Sequence, residues 1–264
     1  MDLGIRGKVA LVVAASKGLG RACAAALAAE GARVTIGARD KQTLAKAAQE
    51  IQLETGSYVL AVPIDVTKEE DIEAIVTATI KEFGSIDILV NNAGGPPSGL
   101  FEAVSDAQWQ ETFEQNLLSA IRFTRLVLPY MRERGNGRII NIVSTSVKEP
   151  IDGLLLSNSI RMAVVGLAKT LSLELAPFNI TVNNVCPGRF LTDRLREGRS
   201  FQGKIEQGMS EAEVLKGIAR DIPMGRIGKP EELGALVAFL ASEQAGYITG
   251  TTIQIDGGLV RAVF

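Results

Sequence analysis

Histidine is absent from the 264 residues of this sequence. Its absence removes the side chain that most often acts as a general base near neutral pH and as a zinc ligand. Cysteine is scarce as well, because Cys23 and Cys186 are the only two. We therefore expect no metal site, with a magnesium site made of carboxylates as the remaining alternative. Two cysteines in a chain of this length are typical of cytosolic thiols rather than of a disulfide framework.

Long apolar runs and a large net charge are also missing. The longest apolar stretches, such as "LVLPYM", fall far short of the roughly 20 residues that a membrane-spanning helix needs. The first residues, "MDLGIRGKVALVV", lack the pattern of a signal peptide. A net charge of −2 gives no reason to expect bulk electrostatic binding to nucleic acid. We expect a cytoplasmic protein with a small-molecule substrate and neither a nucleic-acid nor a membrane partner.

Apolar, β-branched segments alternate with helical patterns along the chain. The strand candidates are 8–13, 33–38, 58–65, 86–94, 137–144, 179–188 and 251–256. This alternation predicts an α/β fold in which a mostly parallel, doubly wound sheet of seven strands lies between two layers of helices. No linker or change of composition divides the chain, so we expect a single domain over 1–264.

A polar segment at about 189–225 is the longest stretch without a clear strand pattern. Its end, "MSEAEVLKGIARDI", has the spacing of an amphipathic helix. A polar insertion of this length in a compact domain usually has a function. We expect it to act as a lid over a binding site.

The turn between the first strand and the first helix predicts a phosphate site. It reads "VAASKGLG" (13–20), which is the spacing G-x-x-x-G-x-G with alanine at the first glycine position. Backbone N–H groups at a helix N-terminus bind phosphate, and glycine lets the backbone come close. An ordinary strand-to-helix turn is the alternative. The candidate cofactor-binding residues here are Ala14, Ser16, Lys17, Gly18, Leu19 and Gly20. If position 14 needs a positive φ, alanine costs about 1–2 kcal/mol there.

The end of the second strand indicates which nucleotide is preferred. An NAD site usually carries an acidic residue about 20 residues after the glycine loop, but Ala38 and Arg39 stand there. Asp40 follows and is well placed as a helix N-cap. Arg39 can bind a 2′-phosphate and Lys17 can support it, which favours NADP(H) over NAD(H). The alternative is that both are solvated surface cations.

Further motifs along the chain carry a family resemblance. In order they are the glycine loop, "PIDVT" (63–67), "NNAG" (91–94), "QN" (115–116), "NIVS" (141–144), "PG" (187–188), "IPMGRIGKPEEL" (222–233) and "YITGTTIQIDGG" (247–258). With these motifs the chain resembles the short-chain dehydrogenase/reductase family, and most of all its 3-oxoacyl-acyl-carrier-protein reductase branch. The resemblance covers nearly the whole length.

The resemblance implies a Rossmann-like sheet with strand order 3-2-1-4-5-6-7, a homotetramer and a nicotinamide cofactor. The cofactor-binding positions that it adds are Asp65 and Val66 at the adenine, Asn91, Ala93 and Gly94 beside the adenosine ribose, and Pro187, Gly188 and Thr192 along the nicotinamide.

The catalytic positions depart from the family pattern. The family tetrad is Asn, Ser, Tyr and Lys, and Asn116 and Ser144 match its first two members. The tyrosine position falls on Ser157 and the lysine position on Arg161. An aliphatic hydroxyl is a far weaker acid than a phenol, whose pKa is about 10. Arg161 keeps the positive charge and can still hold the ribose, but it cannot shuttle a proton.

Three functions remain open at this point. The first is an NADP-dependent oxidoreductase with an altered proton-delivering group. The second is a nucleotide-binding or regulatory protein that has lost catalysis. The third is a non-redox enzyme, such as a dehydratase, isomerase or lyase, that uses Ser144, Arg161 and a loop carboxylate. The loop candidates are Asp152, Glu149, Lys148 and Arg189, each with solvated loop charge as the alternative.

Overall fold

Seven parallel strands form one sheet in the order β3-β2-β1-β4-β5-β6-β7. The structure is a computed structural model that describes residues 2–263, apart from the side chain of Arg199. The strands are β1 Val9–Val13, β2 Arg33–Ala38, β3 Val59–Pro63, β4 Ile88–Asn91, β5 Gly137–Ile142, β6 Ile180–Pro187 and β7 Thr252–Ile255. The predicted α/β fold, its Rossmann-like sheet and its strand order are confirmed.

Helices cover both faces of the sheet. They are α1 Gly18–Ala29, α2 Lys41–Thr55, α3 Glu69–Phe83, α4 Asp106–Phe113, α5 Ser119–Arg134, α6 Leu155–Leu175, α7 Asp193–Arg196, α8 Arg199–Glu206, α9 Glu211–Arg220 and α10 Pro230–Leu240. Helices α1, α2 and α10 pack on one face, while α3, α5 and α6 pack on the other. None of the helices between residues 2 and 263 is long and apolar enough to cross a membrane.

Local signals in the sequence explain where several helices begin and end. Asp40 caps α2, since its side chain accepts a hydrogen bond of 2.7 Å from the backbone N–H of Thr43. Gly56 and Gly84 follow α2 and α3 with φ of 71° and 78°, a left-handed conformation that favours glycine. Helices α4 and α5 follow each other along one helical stretch and are separated by a π turn at Glu114–Leu118.

Two central strands end earlier than predicted at their carboxyl ends. β4 stops at Asn91 and β5 at Ile142, where the sequence pattern had continued to 94 and 144. The residues beyond these points leave the sheet as loops. Because carboxyl ends of parallel strands share one edge, these loops meet there, and that edge is where α/β proteins bind ligands.

A ladder of buried amides crosses four neighbouring strands. Asn91 donates to the side chain of Asn141 at 2.9 Å, Asn141 donates to Asn184 at 3.0 Å, and Asn184 donates to Thr252 at 3.1 Å. These residues are direct partners in the β4-β5-β6-β7 register. Buried amides need such partners, so the ladder fixes the register of these strands and the orientation of Asn91.

The ladder predicts a large loss of stability on Asn141→Ala. Among residues 2–263, the change removes the one side-chain donor to the buried Asn184 Oδ1, and an orphaned buried acceptor costs about 1–3 kcal/mol. Urea unfolding of both proteins measures the difference in the free energy of unfolding. Gln254→Ala, at an exposed position of β7, is the control and should change little. A loss no larger than that of the control would contradict the role given to the ladder.

Candidate cofactor and catalytic site

The glycine loop brings the end of β1 against the start of α1. A Cβ at Gly20 would lie 2.3 Å from the carbonyl oxygen of Ala14, so no side chain fits there. Gly18 has a φ of 59° and Ala14 a φ of 50°, and Asn92 donates to the Ala14 carbonyl at 3.2 Å. The positive φ anticipated at position 14 is therefore present. With α1 beginning at Gly18, its free N–H groups face the loop, and this cradle fits a pyrophosphate.

Lys17 reaches toward the 189–225 segment. Its ammonium lies 3.8 Å from the carboxylate of Asp193 and 3.6 Å from that of Glu197. Thr192 precedes α7 as its N-cap and lies beside the glycine loop, since its methyl carbon would be 3.6 Å from a Cβ at Gly18. The first turn of the segment therefore lies over the predicted pyrophosphate site.

The predicted adenine end of the site includes Arg39 and Asp65. Arg39 is exposed at the end of β2, and the Asp65 carboxylate accepts from the N–H and the hydroxyl of Thr67 at 3.0 and 2.8 Å. Burial tends to raise the pKa of Asp65. The two hydrogen bonds and the charges of Arg39 and Lys68 outweigh it, so that the pKa lies below its usual range. The carboxylate is thus ionised and fixed beside Arg39.

The hydroxyl groups of the catalytic region form pairs among themselves. Ser157, on the first turn of α6, lies 3.1 Å from the hydroxyl of Ser146, and both side chains are buried. The Ser144 hydroxyl accepts from the N–H of Ser146 at 3.1 Å and keeps its own proton free to donate. The sequence analysis overlooked Ser146; the only available signal was the run of hydroxyl residues "STS" at 144–146.

Arg161 is buried without a carboxylate. Its Nη1 donates to the carbonyl oxygens of Ile142 at 2.9 Å and Val143 at 3.1 Å, at the end of β5. Burial first, and then the charge of Arg194, lower the pKa of the guanidinium to about 10. Arg161 therefore remains a cation at neutral pH, and its charge is uncompensated within the described part of the chain.

Asn116 lies in the π turn and points into a small cavity. Its amide nitrogen donates to the carbonyl of Gly94 at 3.0 Å, while its Oδ1 and that of Asn91 meet no donor among residues 2–263. The cavity measures about 20 Å³ and is lined by Asn91, Asn116 and Arg161. This volume is on the scale of one water molecule. Because Ala93 also lines the cavity, the structure brings four of the predicted site residues together.

Other predicted residues line the same edge of the sheet. Ala93 and Gly94 follow β4, Pro187 ends β6, and a Cβ at Gly188 would lie 2.6 Å from the Cβ of Asp256. Ser16 and Leu19 are half-buried in the glycine loop, and Val66 is half-buried after β3. Arg194, another residue that the sequence analysis overlooked, lies against Gly95 and donates to the carbonyl of Pro96 at 3.0 Å.

The loop carboxylates and cations have separate surroundings. Glu149 accepts from the backbone N–H of Arg261 at 3.2 Å, and Asp152 is exposed. Lys148 is half-buried, whereas Arg189 lines a second cavity of about 380 Å³ together with Met224. No group of three or more cysteine, aspartate or glutamate side chains within the described ranges could hold a metal ion.

Comparison with known proteins supplies relatives of the whole chain. The family model described as enoyl-(acyl carrier protein) reductase matches residues 13–260. The 3-oxoacyl-acyl-carrier-protein reductase of Vibrio cholerae is 35% identical over 97% of this chain and 99% of its own. L-sorbose reductase from Gluconobacter frateurii, solved with NADPH and L-sorbose, is similar over 100% of both chains, with 35% identity and a TM-score of 0.95. Actinorhodin polyketide ketoreductase with NADPH has 37% identity and a TM-score of 0.90 over 96% of this chain and 97% of its own.

The geometry of the glycine loop predicts that Ala14→Gly stabilises the protein. The left-handed conformation at φ of 50° is strained for alanine but not for glycine, which has no Cβ. After the added flexibility of the unfolded chain is subtracted, we expect a gain of about 0.5–1 kcal/mol in the free energy of unfolding. Ala45→Gly, at an exposed position in α2, should instead destabilise by about 1 kcal/mol. Thermal or urea unfolding of the pair decides, and losses in both variants would contradict the prediction.

Proposed function

Since this chain belongs to the short-chain dehydrogenase/reductase family, we propose that it is an NADP(H)-dependent oxidoreductase that interconverts a carbonyl group and an alcohol. The observation that carries the proposal is the closed glycine loop, in which Gly20 leaves room for nothing larger than hydrogen beside the Ala14 carbonyl. Relatives of the same length were solved with NADPH, which supports a nicotinamide cofactor here.

Each part of the cofactor has residues suited to hold it. The N-terminus of α1 and the glycine loop suit the pyrophosphate, Arg39 and Lys17 suit a 2′-phosphate, and Asp65 suits the adenine side. Asn91, Ala93, Gly94, Pro187, Gly188 and Thr192 remain the proposed contacts to the riboses and the nicotinamide. When bound, the nicotinamide supplies or accepts the hydride.

We propose that the protein stabilises negative charge on the substrate oxygen with a hydrogen bond and a nearby cation, rather than by proton transfer from a strong acid. The free proton of Ser144 can donate to a carbonyl oxygen, whereas the Ser157 hydroxyl shares one hydrogen bond with Ser146, in which either oxygen can be the donor. The buried charge of Arg161 stabilises negative charge that develops nearby, because the surroundings screen it weakly. None of these groups is a good proton donor near neutral pH. Carbonyl reduction should therefore be slow compared with that of a relative that carries the tyrosine.

A second function is favoured by the hydroxyl pair. Ser146 and Ser157 share one hydrogen bond inside the protein, and Arg161 is held by two backbone carbonyls. This arrangement also suits a protein that binds the nucleotide and performs no redox reaction.

We also propose that the 189–225 segment acts as a lid and that the protein is a homotetramer. The position of Thr192 beside Gly18 supports the lid. Exposed apolar side chains on α6, Met162 and Leu173, support an interface between subunits on that helix.

The proposed cofactor preference predicts tighter binding of NADPH than of NADH. Arg39→Ala should weaken NADPH binding by about 1.5–3 kcal/mol, the scale of a hydrogen bond to a charged group, and leave NADH binding unchanged. Fluorescence titration with both cofactors measures the two dissociation constants. Arg33→Ala, an exposed arginine at the other end of β2, is the matched control. Equal affinity for the two cofactors, or no selective loss of NADPH affinity in Arg39→Ala, would contradict the proposed preference.

The proposed reaction predicts that restoring the missing groups restores activity. Ser157→Tyr together with Arg161→Lys should raise NADPH-dependent ketone reduction by up to about 10²–10⁴-fold, the usual contribution of a general acid. Each single change should do less, because the phenol needs a nearby ammonium to lower its pKa. Ser146→Gly should be added in a parallel variant, since Ser146 lies against the space that the ring must enter.

Two outcomes would change the proposal. Wild-type protein that reduces ketones as fast as the reverted variant would show that another group delivers the proton. A reverted variant that binds NADPH but gains no activity, even with Ser146→Gly, would favour the binding function instead.

A further inference from the structure

We propose that two carboxylates, Asp193 at the start of α7 and Glu197 directly after α7, set how strongly this protein discriminates NADP(H) from NAD(H), because they compete with the 2′-phosphate for Lys17. The inference rests on the proposed role of Lys17 in binding that phosphate. It assigns to the 189–225 segment a function in cofactor selection, in addition to covering the site.

The contact joins two parts of the protein that are far apart in the chain. Lys17 lies in the glycine loop, directly before α1, while Asp193 and Glu197 lie at the two ends of the first turn after Thr192. The ammonium of Lys17 lies 3.8 Å from the Asp193 carboxylate and 3.6 Å from the Glu197 carboxylate. One cation is thus shared by two anions.

The neighbouring charges do not replace Lys17 in this contact. Arg196 of the same turn pairs with Glu211 at 2.9 Å, and Arg194 donates to the Pro96 carbonyl. Arg39, the other proposed phosphate contact, lies beside Asp65. Lys17 is therefore the cation for which the α7 carboxylates and a 2′-phosphate both compete.

The competition must weaken NADP(H) more than NAD(H). A 2′-phosphate carries close to two negative charges at neutral pH, so it must draw Lys17 away from the carboxylates or share it with them, and they also repel the phosphate. NAD(H) has a hydroxyl at that position and leaves the Lys17 contacts intact. The side chains of Lys17, Asp193 and Glu197 are 59%, 58% and 66% exposed, so the effect should be modest and should fall as salt increases.

The test is a comparison of dissociation constants for NADPH and NADH by fluorescence or calorimetric titration. Asp193→Asn with Glu197→Gln should tighten NADPH roughly 2–10-fold, the scale of two exposed ion pairs, and leave NADH within about twofold. In a Lys17→Gln background the same two changes should gain little, because the contested cation is gone. Glu206→Gln, an exposed carboxylate on α8, controls for the overall charge of the segment.

The outcomes separate this inference from the proposed function. Wild-type protein that prefers NADPH and loses the preference in Lys17→Gln, yet is unaffected by the Asp193 and Glu197 changes, overturns the inference alone. Weaker NADPH binding in the carboxylate variant also overturns it, since the carboxylates would then be positioning Lys17 for the phosphate. An undiminished gain in the Lys17→Gln background shows repulsion without competition and overturns it as well. Equal binding of both cofactors in wild type and in Lys17→Gln overturns the proposed preference itself.

Discussion

The close approach of Gly20 to the carbonyl of Ala14 is the constraint on which the rest of the site depends. It lets α1 start after a loop of only four residues beyond β1, so that the free N–H groups of the helix point at the edge where β4, β5 and β6 also end. The positions of the other proposed cofactor contacts are given relative to this loop. Arg39 and Asp65 lie on the side of β2 and β3, and Asn91 and Gly94 lie on the side of β4.

At the predicted catalytic positions, the two residues that depart from the family pattern, Ser157 and Arg161, find different partners. The serine at position 157 finds a partner in Ser146, so a polar group that lacks the reach of a phenol is not left unsatisfied. The arginine at position 161 is longer than lysine and binds the last carbonyls of β5. Its charge still costs solvation energy, since no carboxylate accompanies it in the described ranges. The fold tolerates both residues, whereas proton transfer of the kind that the family tyrosine performs has no obvious substitute.

The alternation of apolar and helical patterns was enough to predict the class of fold, because strands buried on both faces have a composition that helices lack. The N-cap at Asp40 could also be predicted from local spacing, whereas the same kind of spacing raised a positive φ at Ala14 only as a condition. The hydroxyl pair of Ser146 and Ser157 and the contact of Lys17 with α7 could not. Each joins residues whose meeting is decided by the packing of whole elements, and the π turn that positions Asn116 leaves no distinctive mark on the sequence.

The strain at Ala14 has a consequence for how this sequence can change. Every alanine codon becomes a glycine codon by one base change, so the unstrained residue is always a single mutational step away. Its φ of 50° is nevertheless occupied by alanine. Proteins accept destabilising residues as long as they stay above the stability that their function requires. The stability of the rest of the domain must therefore exceed the penalty at this turn, and only the part that remains after this penalty can absorb later substitutions at the cofactor site.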